Sequence, residues 1–513
     1  MKGTEFQRRR LLQHAAWVAM LGFCVVLSAW PCYSQIVNAT LSGTVTDSSG
    51  AVIPAATVTA TNVATGVAAN TTSDANGSYT LPSLPPGSYN VSFEKSGFTS
   101  AVFNGITLQV DQKASLPATL KVGSTTQQVV VTGQVPIVNT QSATVGTVID
   151  TRQVVDLPLN LREFGSLATL VPGAVTDNGG FASSTFGSPF SQTSYNSNGN
   201  RSSSNNFLID GVMSRNLTFG GFALSPPPDA IQEFNLQTNI YDAAFGMTAG
   251  STINLATKSG TNQIHGSVYE FLRNKALDAR NFFNLNQTNP VTGAEIPDSA
   301  RPEYVRNQFG FALGGPIRKD KTFWFVNYEG LRRIQGGQAL NTVPTPEELT
   351  GNLSAALTGK MVNLCGTGGP ANLNFDSGQL FNPATVSTLT CPGGSSKAGS
   401  QILVGQPIPG NVITNINPVA AHTLSLHPFP APNYPTATNF AQTAPTTEQD
   451  NQFIVRIDQN FSEKDQVFGR YMFGQSTWNN PYSGYTSLPG FGDKLYFRGQ
   501  NVALGWTHTV SPT

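Results

Sequence analysis

The sequence predicts a mainly β protein with three parts: a small β-sandwich, a mixed α+β domain, and the first strands, about six, of a transmembrane antiparallel β-barrel. Composition is one reason. Charged residues make up only 11% of the 513 positions, while glycine (50), proline (33) and aromatic residues (10%) are plentiful. The other reason is that apolar and polar residues alternate along many short segments, which is typical of half-buried strands.

The first 34 residues have the pattern of a cleaved secretory signal peptide. A basic run over 8–10 precedes an apolar stretch over 11–30, and small residues at Cys32 and Ser34 suit cleavage before Gln35. A retained membrane anchor is the alternative. Removing four basic and one acidic residue from the 29 of each sign leaves 25 and 28, so the composition gives no support for a nucleic-acid partner.

The pattern of residues over 35–122 predicts the β-sandwich. Apolar residues alternate with polar ones over 89–93, and turn-forming clusters recur at 74–77 and 85–87. These segments resemble the carboxypeptidase regulatory-like domain. The resemblance implies a transthyretin-like sandwich, of a kind grouped with carbohydrate-binding folds, and it implies no peptidase chemistry.

The linker over 123–135 contains a run of three valines inside the sequence Gln128, Val129, Val130, Val131 and Thr132. An extended segment of this kind can pair with the free edge of another sheet. A last strand of the preceding sandwich is the alternative.

Residues 136–260 contain three motifs of short apolar strands closed by Asp-Gly, Pro or Gly, at 207–212, 226–238 and 246–260. Their characteristic positions are Asp210, Gly211, Asp229, Ile231, Glu233, Asn254, Lys258 and Gly260. Together the motifs resemble the plug domain of a TonB-dependent outer-membrane receptor. The resemblance implies that the linker valines are a TonB box, which pairs with the inner-membrane energy-transducing TonB complex.

One helix is expected in this plug domain. Asn160 is suited to cap it, with Glu163 three positions on, and apolar residues at 164, 167, 168 and 171 follow at helical spacing. We expect this stripe to lie in the plug core.

Residues 261–513 contain longer alternating segments, at 265–273, 307–315, 322–329, 452–461, 466–474 and 500–508. Short and long links alternate between them, as in a barrel with periplasmic turns on one side and extracellular loops on the other. Arg456, Asp458 and Arg470 alternate with apolar residues and would line a polar lumen. The aromatic concentration over 323–328 suits a membrane interface.

The fragments 257–262, 271–274 and 314–323 resemble the Oar-like branch of TonB-dependent receptors. Plugged transporters of this kind have about 22 strands. Six strands therefore predict an N-terminal portion of a longer receptor. Cys365 and Cys391, the two cysteines left after signal removal, lie in one long external loop of an exported chain and are expected to form a disulfide.

The motif search finds neither a G-x-S-x-G nucleophile elbow nor a P-loop, so we expect no enzyme activity, no cofactor and no metal site. The predicted function is energy-coupled uptake of a scarce solute across the outer membrane: a siderophore, cobalamin, oligosaccharide or peptide. The expected partners are the TonB complex, outer-membrane lipid and that solute. The alternative is an outer-membrane-anchored surface protein that binds glycans or mediates adhesion.

Overall fold

The computed structural model describes residues 37–123, 128–131, 144–176, 195–216, 221–241, 248–286, 288, 293–295, 299–426, 429–434, 438–481 and 491–510. The expected signal peptide and Thr132 lie outside these residues. Within the described ranges, no helix has both the length and the apolar character needed to cross a membrane.

The N-terminal domain is a sandwich of two sheets around one apolar core. Its strands are β1 (Ala39–Asp47), β2 (Thr57–Asn62), β3 (Ala68–Thr72), β4 (Ser78–Leu84), β5 (Gly87–Glu94), β6 (Ser100–Leu108), β7 (Lys113–Ser115), β8 (Ala118–Leu120) and β9 (Gln128–Val131). One sheet has the order β4-β1-β7, with β8 also paired to β1, and the other has the order β3-β2-β5-β6-β9. Tyr89, Val91 and Phe93 of β5 are buried, so the alternation in the sequence marks the core face.

The plug contains a five-stranded sheet with the order β10-β15-β16-β13-β14. Its strands and α-helix are β10 (Val145–Asp150), α1 (Thr151–Asp156), β11 (Ala174–Thr176), β12 (Tyr195–Ser197), β13 (Asn206–Ile209), β14 (Val212–Met213), β15 (Ile231–Asn239) and β16 (Thr252–Thr257). Short 3₁₀ helices connect them at Asn160–Arg162, Phe164–Leu170, Ser202–Ser204 and Pro228–Ala230.

The helix expected after Asn160 is instead the 3₁₀ helix Phe164–Leu170, and the expected cap is wrong. Leu161 and Arg162 have left-handed φ angles of 56° and 53°, so a regular helix cannot run through them. The capping box lies earlier, where Asp150 accepts a hydrogen bond from the Gln153 amide and Gln153 reaches back to the Asp150 amide. The apolar stripe is nevertheless buried in the plug core.

The rest of the chain consists of β17 (His265–Asn274), β18 (Tyr304–Arg318), β19 (Thr322–Asn341), α2 (Pro346–Leu349), β20 (Met361–Asn363), β21 (Asn374–Asp376), β22 (Ser387–Thr390), β23 (Gln401–Val404), α3 (Pro418–Ser425), β24 (Phe440–Asn460), β25 (Asp465–Asn480) and β26 (Asp493–His508). Six of these strands form one antiparallel sheet in the order β17-β18-β19-β24-β25-β26, which we call the wall sheet. The six strands predicted from alternation are thus present, and the mainly β fold class is confirmed.

The strands of the wall sheet are longer than predicted, mostly at the end that carries the long loops. β19 continues to Asn341, and β24 begins at Phe440, which pairs with it. Alternation underestimates these strands because an outward-facing position needs an apolar side chain only where it meets lipid. Beyond that zone the hydrogen-bonded ladder continues through segments without regular apolar–polar alternation, such as 335–341 paired with 440–446.

The two faces of the wall sheet differ in chemistry. Phe311, Leu313, Val455 and Ile457 are exposed on the outer face, as expected for a surface in contact with lipid. The aromatic concentration over 323–328 is divided between the faces. Register along β18–β19–β24 puts Phe323 and Phe325 on the inner face, where both are buried, so the prediction of an interfacial cluster is wrong for these two residues.

The N-terminal domain lies at the end of the wall sheet that carries the short turns. The Asn262 amide nitrogen donates to the Thr65 carbonyl at 2.7 Å and to Asp320, in the β18–β19 turn, at 2.6 Å. Asn70 donates to Glu463, in the β24–β25 turn, at 2.8 Å. The long loops therefore lie at the opposite end from this domain.

Candidate functional site

The plug lies against the inner face of the wall sheet and shares an apolar core with it. Phe234 and Leu236 of β15 belong to a cluster that also contains Phe325, Ile454 and Met472 of the wall. Ile231, one of the predicted plug-motif residues, is fully buried in the same cluster. Two groups of charged side chains add specific contacts to this apolar base.

The first group is centred on Asp210, in a two-residue turn between β13 and β14. Asp210 and Gly211 have φ angles of 49° and 79°, the left-handed pair that an Asp-Gly hairpin turn provides. The Asp210 carboxylate forms ion pairs with Arg456 at 3.0 Å and with Arg470 at 2.6 Å. It also accepts a hydrogen bond from the Thr257 amide at 2.9 Å.

All three residues expected to face the lumen are on the inner face and belong to or adjoin this group. Arg456 forms a second ion pair with Asp458 at 2.8 Å. Arg470 has a fully buried side chain and also donates to Asn501 at 2.8 Å. The two guanidinium groups thus face two carboxylates, and the plug supplies one of them. We call Asp210, Arg456 and Arg470 the lower lock, since they lie nearer to the short turns.

The second group, the upper lock, is formed by Arg162, Asp229, Tyr269 and Glu329. Arg162 of the plug pairs with Asp229 of the plug and with Glu329 of the wall, the latter at 3.1 Å. Tyr269 donates to Glu329 at 3.0 Å, and its ring lies 4.4 Å from the Arg162 guanidinium. The side chains of Arg162, Asp229 and Glu329 are largely buried, so removal of one partner would leave an uncompensated charge, which is costly.

The remaining plug-motif residues have structural surroundings of their own. The Lys258 amide donates to the Ala230 carbonyl at 2.9 Å and so holds the end of the plug beside the Pro228–Ala230 turn. Gly260 packs against the backbone of β18 and β19 at the junction of plug and wall. Glu233 and Asn254 lie on the polar face of the plug sheet, which faces the N-terminal domain.

The sequence reasoning missed Arg162 and Glu329 as a pair. The sequence did contain a signal for Glu329. Asn327 and Glu329 alternate with Val326 and Tyr328, which places their polar side chains on the inner face of the strand, but the aromatic residues of this segment were considered instead. Arg162 had no comparable signal, since its position depends on an irregular turn. Within the described residues, no group of three His, Cys, Asp or Glu side chains could hold a metal ion.

A small cavity of about 70 Å³ lies between plug and wall beside the upper lock, lined by residues that include Arg162, Gln308, Asp450 and Gln452. Pockets that bury a whole small ligand measure roughly 300–1,000 Å³. This cavity therefore has room for a single polar group and not for a complete siderophore or oligosaccharide.

The long loop between β19 and β24 forms a small folded unit. Cys365 and Cys391 are joined by a disulfide and are buried with Leu373. Two short hairpins, β20–β21 and β22–β23, surround this core. So few apolar residues give little burial energy, which makes a covalent link important to the unit.

We expect replacement of both Cys365 and Cys391 by alanine to destabilise this loop unit by roughly 3 kcal/mol, because the disulfide closes a loop between residues 26 positions apart. Limited proteolysis should cut the loop faster in the variant, while the wall sheet stays resistant. Free-thiol labelling of folded, unreduced protein should modify neither cysteine. Labelling of both would show that the disulfide is absent.

The proposed TonB-box segment is part of the N-terminal domain in this structure. Gln128, Val129, Val130 and Val131 form β9, which pairs in parallel with β6, from Ser100 to Phe103. This arrangement corresponds to the alternative of a last sandwich strand. It leaves open to experiment whether the same segment also pairs with another protein.

The sequence profile of the outer membrane beta barrel domain matches residues 256–513. The chain belongs to this family. Residues 40–121 match the carboxypeptidase regulatory-like domain, as the sandwich motifs predicted. The relationship to Oar-like receptors is confirmed by a match to the TonB-dependent transporter Oar of Myxococcus xanthus, 29% identical over 322 residues. That match covers 61% of this chain and 28% of Oar, so the chain spans less than a third of its curated relative.

Solved structures of outer-membrane receptors also resemble this barrel protein. The outer membrane transporter YddB from Escherichia coli has a TM-score of 0.38 at 10% identity, over 71% of this chain and 37% of its own. The siderophore receptor PirA from Acinetobacter baumannii has a TM-score of 0.32 at 14% identity, over 71% and 45%.

Proposed function

We propose that this protein is a TonB-dependent outer-membrane receptor for the energy-coupled uptake of a scarce solute: a siderophore, cobalamin, an oligosaccharide or a peptide. One observation carries the proposal. A separate domain occupies the inner face of the wall sheet and is joined to it by two buried groups of ion pairs. A domain that must leave or rearrange needs contacts that can be exchanged, and paired charges meet that need better than a purely apolar core.

The proposed cycle begins with solute capture by the long loops, including the disulfide-linked unit. The plug closes the path until energy from the inner membrane rearranges it. A partner can shift the plug only if it binds the rearranged state more tightly than the closed one. Addition of an extended strand to a sheet of the partner is a mechanism by which β9 can supply that difference.

Because β9 is paired with β6, recruitment of the partner is a competition within this proposal. A sheet edge of the TonB complex has to pair with Val129–Val131 more favourably than β6 does. The free energy of the β6–β9 pairing is thus subtracted from the binding energy of the partner, and weak pairing favours recruitment.

We expect Val130→Pro to abolish strand addition, because proline lacks the backbone N–H that a central ladder position donates. Binding of the purified periplasmic domain of TonB to the full-length receptor should fall at least tenfold, and uptake from a panel of ferric siderophore, cobalamin, oligosaccharide and peptide should stop. Val130→Thr is the matched control, since threonine is β-branched and keeps the N–H. If the proline variant still binds the TonB domain and transports, the mechanism stated here is incorrect.

The alternative, surface glycan binding or adhesion, assigns the N-terminal domain to the cell exterior. Asn70 contacts the β24–β25 turn, and Thr65 contacts Asn262, which in turn bonds to Asp320 of the β18–β19 turn. These contacts argue against an exterior location, because short turns in this barrel class lie on the periplasmic side. An exterior binding function would instead use the long loops.

A further inference from the structure

The plug sheet has one apolar and one polar face. On β15, Phe234 and Leu236 point to the plug core, while Glu233, Asn235 and Gln237 occupy the alternate positions. Register with β16 adds Asn254, opposite Asn235, to the polar face. Glu233, Gln237 and Asn254 are nevertheless buried. A buried polar face requires a partner that hydrogen-bonds to it.

That partner is the turn between β6 and β7 of the N-terminal domain. The Val110 amide donates to Glu233, and the Val110 carbonyl accepts from Asn235 at 3.4 Å. The Asp111 carboxylate accepts from Asn254 at 2.7 Å and from Gln237 at 3.3 Å. Asp111 has a left-handed φ of 59°, a conformation that asparagine and aspartate tolerate better than other non-glycine residues.

The interface contains more acceptors than donors. The amide nitrogens of Asn235, Gln237 and Asn254 are all used toward the turn. Their carbonyl oxygens are buried and have no hydrogen-bond partner among the residues that the structure describes. Two carboxyl groups, Asp111 and Glu233, lie among them. A protonated carboxyl group is a donor, so each proton bound here adds a donor to an interface that has too few.

We propose that Asp111 and Glu233 form a proton-linked latch, through which the β6–β7 turn docks the N-terminal domain on the polar face of the plug. The polar face of the plug sheet is thus occupied by the N-terminal domain of the same chain, as the structure shows. Besides this turn, the domain contacts Asn262 through Thr65 and Glu463 through Asn70. A cavity of about 320 Å³, with Tyr89 and Arg456 among its lining residues, lies between the domain and the plug and wall. Undocking would uncover the lower side of the plug.

Burial is the main influence on the protonation of both acids. Burial raises the pKa of Asp111 from 3.8 to about 7, against the hydrogen bond from Asn254 and the attraction of Lys113. Burial also raises the pKa of Glu233 from 4.5 to about 7, against the hydrogen bond from Val110, while Asp150 and Asp111 add repulsion. Burial thus outweighs the groups that favour ionisation, and the three unpaired amide oxygens beside the acids are acceptors that a protonated carboxyl group can satisfy.

The direction of the pH effect follows from linkage. Both acids hold their protons more tightly when docked, so docking takes up protons. Docking is fully favoured below about pH 4, where the acids are protonated in both states, and it weakens as the pH rises to about 7. Above that range the full cost of two buried, ionised carboxylates is present.

The test measures docking directly and needs no transport assay, so it is independent of the proposed function. Spin labels at Ala75→Cys in the N-terminal domain and Lys319→Cys in the β18–β19 turn, in full-length protein in lipid nanodiscs, report the separation of the two parts. The docked-to-undocked ratio should fall at least tenfold between pH 6 and pH 8. The protection factor of the Val110 amide, the exchange rate corrected for the intrinsic effect of pH, should fall over the same range.

Asp111→Asn with Glu233→Gln mimics the protonated acids and keeps both acceptor oxygens. This double variant should remain docked from pH 5 to pH 8. Glu94→Gln, which neutralises an exposed carboxylate of the same domain, should titrate like the wild type. A wild-type ratio that does not change with pH, or a double variant that titrates like the wild type, would overturn the latch. Hydrogen exchange is measured at all amides in the same samples. A misfolded variant would lose protection throughout the chain, whereas an undocked one would lose it at Val110 and its neighbours.

Discussion

Replacement of Asp210 by asparagine is expected to destabilise the plug by about 3–5 kcal/mol, the cost of leaving a buried charge without its partner. Asparagine has nearly the same shape and can still accept the hydrogen bond from the Thr257 amide. What it removes is the charge that Arg456 and Arg470 share. Arg470 is affected most, since its side chain is fully buried and no second carboxylate in the described part of the chain pairs with it, whereas Arg456 retains Asp458.

The measurement is urea unfolding of the plug, followed by proteolysis in full-length receptor whose wall remains folded. Asp278→Asn is the matched control. It makes the same change in a solvent-exposed ion pair, where Asp278 lies 2.8 Å from Arg273. Exposed pairs contribute about 0–1 kcal/mol. Asp458→Asn should give an intermediate loss, since Arg456 keeps Asp210.

Equal stability of the Asp210→Asn and Asp278→Asn variants would mean that the lower lock does not hold the plug. If only Asp458→Asn lowered the stability of the plug, the effect would come from a contact within the wall sheet. The expected order of stability, Asp278→Asn above Asp458→Asn above Asp210→Asn, therefore distinguishes an interdomain lock from a contact within the wall.

Much of the fold was predictable because strands impose a period of two. Phe453, Val455 and Ile457 alternate with Ile454, Arg456 and Asp458, and that alternation assigns each side chain to a face before any partner is known. The Asp210–Gly211 turn was predictable for a similarly local reason, since its left-handed angles select those residues. The mainly β class followed from such local signals and was confirmed. The Oar-like relationship rested instead on the resemblance of the fragments 257–262, 271–274 and 314–323, and it was confirmed as well.

Contacts between distant segments were not predictable in this way. Nothing near Arg456 indicates that its partner is Asp210, 246 positions earlier, or that Asp111 meets Asn254, 143 positions later. Glu233, Asn235 and Gln237 alternate with Phe234 and Leu236, a pattern typical of a strand with one polar face, and polar faces usually meet water. Only the structure reveals that another domain covers this one. The ends of the wall strands were predicted too short for a further reason. Apolar residues alternate with polar ones only along the part of each strand that is expected to contact lipid.

Gly260→Ala is the second substitution with a large expected effect, because the added methyl group has nowhere to go. A Cβ at this position would lie 2.4 Å from the Trp324 carbonyl oxygen, 2.5 Å from the Gly315 carbonyl oxygen and 2.9 Å from the Trp324 amide nitrogen. All three atoms are backbone, and β18 and β19 hold them in a ladder, with Gly315 opposite Trp324. Flexible side chains could move aside, but this ladder cannot shift without losing hydrogen bonds.

We expect Gly260→Ala to cost about 3 kcal/mol or more, at the upper end of the range for overpacking, and to disturb the junction where the plug continues into β17. The measurement is the midpoint of thermal unfolding, with the yield of heat-modifiable, folded barrel as a second readout. Gly393→Ala is the matched control, since a Cβ there would meet no atom within 4 Å. If Gly260→Ala folds in normal yield and melts with the control, the plug and the wall are less tightly joined at this junction than the close approach of Gly260 to Trp324 requires.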